Sequence, residues 1–146
     1  MSRTPPETRK DFAVFHKIET RWKDNDVYGH VNNVVYYSYI DTAVNAFLIK
    51  QGVLDIQNSK IVGLVAETQC RYNSSLAFPD TVHVGLRLAH LGNSSIRYDF
   101  GVFKNDQDEA SAQGYFVHVY VDTETNKTVP MPQTLVRAAE LLRIQR

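Results

Sequence analysis

Residues 33–50 read NVVYYSYIDTAVNAFLIK and predict a long helix whose apolar side chains cover nearly all of its faces. A helix that is apolar nearly all round is buried on most sides. Asn32 or Asn33 can cap the first turn, because an asparagine side chain accepts a hydrogen bond from a free amide there. Gly52 stands where a left-handed C-terminal cap is expected. The rest of the fold is therefore expected to pack around this helix.

Alternating apolar and polar residues predict one strand before the helix and four strands after it. Short polar turns join the later strands, which is typical of antiparallel hairpins with one buried face. A short C-terminal helix follows two prolines. The predicted strands are 12–20, 61–72, 81–89 (with Val82, Val84, Leu86 and Leu88 inward), 96–103 and about 115–122, and the last helix is 134–144.

The order of these elements predicts an α+β fold. A five-stranded antiparallel sheet wrapped around the long central helix buries the apolar surface of both, with the short C-terminal helix beside it. Residues 1–10 are polar and contain proline, so we expect a flexible N-terminal arm. Residues 11–146 are expected to form a single domain. One sheet edge is left exposed, and pairing between two copies would cover it.

The composition excludes several classes of function. Sixteen basic residues balance sixteen acidic ones among 146, so no general attraction to nucleic acid or anionic membranes is expected. Cys70 is the single cysteine, which excludes an intramolecular disulfide and favours a reducing compartment. No apolar stretch reaches the ~18 residues that span a bilayer. We therefore expect a cytoplasmic protein.

The segment directly before the helix concentrates polar residues. Residues 21–33 read RWKDNDVYGHVNN and contain two carboxylates, a glycine, a histidine and two asparagines. The first amides of a helix have no partner inside the helix, so they stabilise negative charge that develops nearby. A carboxylate next to such amides indicates chemistry on a carbonyl group.

Three other interpretations explain only part of this segment or none of it. A calcium loop that starts at Asp24 would need an oxygen ligand at Tyr28 and a bidentate glutamate at Val35. A purely structural turn explains Asp, Asn and Gly29, but it does not explain the density of polar groups before an apolar helix. The five histidines and Cys70 show no metal-ligand spacing, so no zinc site is expected.

Residues 26–33, DVYGHVNN, together with Tyr36 resemble the active-site signature of hotdog-fold acyl-CoA thioesterases of the 4-hydroxybenzoyl-CoA thioesterase-like group. The resemblance covers about residues 12–125, and the segments 78–80 (FPD) and 91–95 (LGNSS) also fit it. It implies the hotdog fold and hydrolysis of an acyl-CoA thioester to free acid and CoA. It implies no metal and no cofactor.

The resemblance assigns roles to individual residues. It implies that Asp26 is the catalytic carboxylate, acting as nucleophile or as general base, and that His30 assists it. It implies that the Asn33 amide polarises the thioester carbonyl, with the Val34 amide as a candidate second donor. The residues expected to bind substrate are Gly29, Tyr36, Glu67, Asn93, Ser94 and Ser95. The related plant enzymes carry an asparagine where Tyr28 stands, and the 92–95 turn lacks the basic residues of some relatives.

The resemblance also implies a homodimer or a tetramer built from two dimers, with acyl-CoA sites at the dimer interface. We expect no nucleic acid or membrane partner. Two alternatives share the fold: a non-catalytic acyl-CoA-binding or regulatory domain, and a hydratase. The hydratase pattern Asp-x-Asn-x-x-x-His is not reproduced in residues 26–32.

Overall fold

The structure is a computed structural model that describes residues 5–144. Its elements follow the predicted order, and the long helix and the strand after it have the predicted bounds. The C-terminal helix ends four residues earlier than predicted, because residues 141–142 form a turn. The bounds are Val14–Glu19 for β1, Asn33–Lys50 for α1, Ile61–Tyr72 for β2, Thr81–Leu91 for β3, Ser95–Lys104 for β4, Ala112–Asp122 for β5 and Gln133–Glu140 for α2.

The strands form one antiparallel sheet in the order β1-β3-β4-β5-β2, so β1 and β2 are its edges. We call the end of the sheet where Tyr72 pairs with Ala112 the near end, and the end where Ile61 pairs with Asp122 the far end. Helix α1 begins at the near end, where the Tyr72 hydroxyl donates to the Asn33 carbonyl oxygen at 3.3 Å. It runs along one face of the sheet toward the far end. This arrangement confirms the predicted hotdog fold.

The core lies between α1 and the inner face of the sheet. The alternation in β3 correctly predicted its buried side chains. On β5 the buried face carries Phe116, His118 and Tyr120, so a histidine lies inside the core. The inward residues of β3 are Val82, Val84, Leu86 and Leu88.

Helix α1 is buried on one side only. Val34 is 69% exposed and Ile49 is 48% exposed. The prediction that this helix is buried on most sides is therefore wrong for the single chain, because one sheet covers only one side of it. The buried residues of α1 are Tyr36, Tyr39, Ile40, Ala43, Val44, Phe47 and Leu48.

The described part of the N-terminal segment contacts the outer face of the sheet, away from α1. The Glu7 carboxylate pairs with the Arg87 guanidinium at 2.8 Å, and the Glu7 amide donates to Gln113 Oε1. The Arg9 guanidinium lies 5.1 Å from the ring centre of Phe103. These contacts hold residues 7–9 against the sheet. Residues 1–4 of the predicted arm and residues 145–146 of the predicted domain lie outside the described residues.

Candidate active site

The polar segment before α1 folds back on itself as a short antiparallel ladder at the near end. The Asn32 amide donates to the Asp24 carbonyl oxygen at 2.9 Å, and the Asp26 amide donates to the His30 carbonyl oxygen at 2.9 Å. Another bridge lies between these two pairs. Residues along a strand advance ~3.3 Å each. Asp26 therefore lies only ~7 Å along the ladder from the residue that precedes the helix.

A tight turn closes this ladder and orients the Asp26 carboxylate. The Gly29 amide donates to the Asp26 carbonyl oxygen at 3.0 Å, and Gly29 has a φ of 81°, which disfavours any residue with a Cβ. Asp26 Oδ1 accepts the Tyr28 amide at 2.9 Å. No donor among the described residues reaches Oδ2. The turn thus fixes the carboxylate through one oxygen and leaves the other free to react.

Asp24, the other carboxylate of the segment, has a structural environment. It is 1% exposed and accepts hydrogen bonds from the Tyr39 hydroxyl at 2.7 Å and from the Arg21 amide and guanidinium, each at 2.9 Å. Burial alone would raise the pKa of Asp24, but these hydrogen bonds lower it below its ordinary value. Asp24 therefore anchors the segment to α1 as a carboxylate that is ionised at neutral pH.

The first amide of α1, that of Asn33, has no acceptor among the described residues. Asn32 is the N-cap, and its side-chain oxygen accepts the Val34 amide at 3.0 Å, while its carbonyl oxygen accepts the Val35 amide at 2.9 Å. The Val34 amide is therefore occupied by the cap and is not available as a second donor. No described group accepts a hydrogen bond from the Asn33 amide. This N–H can receive an oxygen that gains negative charge.

His30 and Tyr36 flank this arrangement in different environments. His30 is exposed, and its ring makes no hydrogen bond with a described residue. Tyr36 is 3% exposed and contacts the Tyr72 ring edge-on, with ring centres 4.9 Å apart. Tyr36 thus packs the first turn of α1 against β2.

The other residues that were expected to bind substrate lie apart from Asp26 in the single chain. Glu67 lies on the outer face of β2, where its Oε1 accepts the Tyr115 hydroxyl at 2.7 Å. The turn at residues 93–95 lies at the far end, separated from the near end by the 11 residues of β3, a distance of roughly 30 Å. One chain therefore does not bring Glu67, Asn93, Ser94 or Ser95 to the Asp26 turn.

A groove of about 600 Å³ between α1 and the edge strand β2 was not predicted from the sequence. The alternation of β2 is hidden by a shift in its pairing with β5 between Val65 and Glu67. Because that irregularity changes which residues face inward, a period-2 pattern could not identify the groove wall. The walls are formed by Tyr37, Ser38, Ile40, Asp41, Val65, Thr68 and Phe116.

The described residues offer no clustered set of metal ligands. Within residues 5–144, no three histidine, cysteine, aspartate or glutamate side chains are grouped so that they could hold a metal ion. None of the described helices is long and apolar enough to cross a membrane.

Comparison with known families identifies the class of this protein. A family model described as the thioesterase-like superfamily matches residues 20–139, which include the polar ladder, α1 and strands β2–β5. The chain belongs to this superfamily. Together with the hotdog arrangement of sheet and helix, this makes the protein a thioester hydrolase of the hotdog fold.

Individual relatives agree with this assignment. The chain is 47% identical to the PA5185 protein of Pseudomonas aeruginosa strain PAO1, with a TM-score of 0.93 over 95% of this chain and 97% of that one. It is 28% identical to a Thermus thermophilus thioesterase complexed with coenzyme A and Zn, with a TM-score of 0.76 over 92% and 98%. It is also 28% identical, over 82% of its length, to 25% of the L-carnitine dehydrogenase/betainyl-CoA thioesterase of Agrobacterium fabrum.

Proposed function

We propose that the protein hydrolyses an acyl-CoA thioester to a free acid and CoA, with Asp26 as the catalytic carboxylate and the Asn33 amide as the oxyanion donor. The observation that carries the proposal joins two groups of one short ladder: an Asp26 oxygen that no donor in residues 5–144 reaches, and the Asn33 amide, for which those residues offer no acceptor, at the start of an 18-residue helix. The Thermus relative is complexed with coenzyme A, and the Agrobacterium relative is named a betainyl-CoA thioesterase. Both names support a CoA ester as substrate.

The chemistry requires a nucleophile and a site for the oxyanion. Thiols have pKa values near ~8.5, so the CoA thiolate leaves with little help from a general acid. The Asn33 amide, aligned with the helix dipole, stabilises the negative charge on the carbonyl oxygen. Asp26 either removes a proton from water, which then attacks the carbonyl carbon, or attacks that carbon itself and forms an anhydride that water cleaves. We propose that His30 hydrogen-bonds to the attacking water.

We also propose that the protein works as a homodimer joined along β2. This edge strand has 12 residues, and Leu64 and Val65 on it are 52% and 54% exposed. A sheet edge of this length that exposes apolar side chains is normally covered by another element or another chain. A two-fold axis across β2 would place the far end of one chain, with its 93–95 turn, beside the near end of its partner. Sedimentation of the purified protein at micromolar concentration should give twice the chain mass, and a monomer there would refute this arrangement.

Replacement of Asp26 by asparagine tests the catalytic assignment. Asn keeps an oxygen for the Tyr28 amide, so the turn is retained, but it cannot act as a base or a nucleophile of comparable strength. We expect thiol release from acyl-CoA to fall ~10²–10⁴-fold. Asp106→Asn, in the exposed turn after β4, is the matched control and should keep the wild-type rate.

The outcomes of this assay separate the candidate functions. Full activity of Asp26→Asn toward every acyl-CoA that the wild type hydrolyses would contradict the role of Asp26. Saturable binding of acyl-CoA by the wild type without any thiol release would instead identify a non-catalytic binding domain. Circular dichroism of each variant shows whether a lost rate reflects lost structure.

A further inference from the structure

The far end of the core buries three polar atoms for which no described group is a hydrogen-bond partner. They are the Tyr98 hydroxyl, Nδ1 of His118 and the Tyr120 hydroxyl, and their residues are 0%, 3% and 4% exposed. Burial and then the nearby Tyr120 raise the pKa of Tyr98, so the two phenols are neighbours, but they lack hydrogen-bond geometry. Each buried polar group without a partner costs roughly 1–3 kcal/mol. Three such atoms in neighbouring side chains indicate a partner that none of residues 5–144 supplies.

The space beside these atoms depends on a glycine in β2. Gly63 pairs with Tyr120 across the two strands. A Cβ at Gly63 would lie 2.9 Å from Tyr120 Cζ and 3.0 Å from His118 Nδ1, which is closer than real contacts allow. The cavity there has a volume of about 40 Å³ and is also lined by Asn45 and Leu48. We call it the chamber, and its size suits one hydroxyl-sized group.

The chamber is chemically neutral. None of the described residues that line it is a lysine, arginine, aspartate or glutamate. Burial lowers the pKa of His118 to about 4, so its ring is uncharged at neutral pH. A carboxylate would be buried there without a cation, which is costly. A hydroxyl group both donates and accepts, so it can satisfy an imidazole nitrogen and a phenol hydroxyl together.

The chamber continues the groove between α1 and β2. Asp41 lines the groove and Asn45, one turn further along the helix, lines the chamber. Asn45 Nδ2 donates to Asp41 Oδ1 at 3.2 Å, so the two side chains lie on one face of the helix. On β5, Phe116 lines the groove and His118 follows on the same face. Groove and chamber are therefore successive parts of one seam.

We propose that this seam is the acyl channel and that the chamber receives a hydroxyl group near the far end of the acyl chain, with His118 and Tyr120 as specificity-determining residues. This inference rests on the proposed acyl-CoA thioesterase function. The helix advances ~18 Å from Asn33 to Asn45, which an extended chain spans in roughly 15 bonds. A dimer joined along β2 would also place the partner's near end beside the chamber, where a shorter chain would suffice.

The test compares matched substrates that differ only in a terminal hydroxyl. Thiol release is measured with hexadecanoyl-CoA and 16-hydroxyhexadecanoyl-CoA, and with octanoyl-CoA and 8-hydroxyoctanoyl-CoA. We expect kcat/KM to favour the hydroxylated ester about tenfold or more at one of these lengths, the value of one well-made hydrogen bond. Tyr120→Phe and His118→Leu should bring this ratio close to one. Tyr115→Phe, which removes a hydroxyl from the outer face of β5, should preserve it.

A binding measurement on the wild-type protein tests the inference even where a variant fails to fold. Non-hydrolysable thioether analogues of the same four esters are added to protein labelled with ¹⁵N-histidine. The Nδ1 resonance of His118 should shift with a hydroxylated analogue and not with its unsubstituted counterpart. Equal rates within both substrate pairs and an unchanged resonance would overturn this inference and leave the thioesterase intact. Absence of thiol release from any acyl-CoA would count against the proposed function instead.

Discussion

The two ends of α1 differ in whether the buried polar groups beside them have hydrogen-bond partners. At the near end, Asp24 is almost fully buried and accepts hydrogen bonds from Tyr39 and Arg21. At the far end, His118 and Tyr120 are also buried, yet a nitrogen of one and the hydroxyl of the other lack described partners. Buried polar groups in folded proteins are nearly always paired.

The difference indicates separate tasks for the two regions. The near end is complete within the chain, because Asp24 and the Asn32 cap fix the backbone that presents the Asp26 carboxylate and the Asn33 amide. The far end is incomplete among residues 5–144, so its polar atoms are suited to recognise a group that arrives from outside. In the proposed function, the near end positions the reaction and the far end selects the substrate. The following predictions test this division.

Among the variants that test this division, the largest effect is expected from removal of the Asn33 N–H. Asn33→Pro deletes this donor at the first helical position, where proline is tolerated. Asn32 has φ −61° and ψ 138°, which a following proline accepts. We expect kcat to fall ~10²–10³-fold, as for loss of an oxyanion donor, with unchanged unfolding free energy. Asn33→Ala keeps the N–H and should retain activity; equal rates for both variants would remove the amide from the mechanism.

Loss of Asp24 should damage the near end as a scaffold. Asp24→Ala leaves the Tyr39 hydroxyl buried without an acceptor, and we expect a loss of about 3 kcal/mol in unfolding free energy, measured in urea. Because the pKa of Asp24 is lowered in the folded state, its contribution is present above the unfolded pKa and is lost as pH falls through the folded value. A variant as stable as the wild type at pH 7 would contradict the structural role.

At the far end, His118 should make the free energy of unfolding depend on pH. Burial lowers the pKa of His118 from 6.5 to about 4 and outweighs the opposite effect of Asp41. Between these two pH values the His118 ring is therefore protonated in the unfolded chain and neutral in the folded chain. The free energy of unfolding should therefore fall by about 3 kcal/mol as pH decreases from 6.5 to 4. His118→Gln should lack this part of the decline. Parallel curves for the two proteins would show that His118 is accessible to protons in the fold.

A smaller effect is expected at the edge strand β2, where the proposed dimer would bring the far end of one chain beside the near end of its partner. Leu64 points to the outer face of β2, away from the groove, so Leu64→Lys changes the edge without altering the channel. We expect the dissociation constant of the dimer to rise at least about tenfold, because lysine on an edge strand opposes pairing. Gln69→Lys, where a polar side chain is already present, should have a weaker effect. Sedimentation equilibrium measures both, and an unchanged dimer would place the interface elsewhere.

Local patterns predicted most of the fold for physical reasons. The bounds of α1 follow from the Asn32 cap and from a mostly apolar run, interrupted only by Ser38, Asp41, Thr42 and Asn45, that ends before Gly52. The alternation of β3 shows its inward face because a strand has a period of two. The same rule failed for β2, where the pairing shift changes the register, and it did not show which face of β5 is inside. His118 gave no sequence signal, since a histidine among alternating residues is compatible with either face.

The sequence by itself determined the elements, their order, and the carboxylate and helix start that we propose as the reaction site, because these depend on residues close together in the chain. The resemblance of residues 26–33 to a known signature already assigned the catalytic role to Asp26 and not to Asp24. The tertiary structure added a physical difference between the two carboxylates, because the Tyr39 hydroxyl donates to Asp24 and not to Asp26. Only the structure joined Gly63 to His118 and Tyr120, because the pairing of β2 with β5 brings together residues that are more than 50 positions apart.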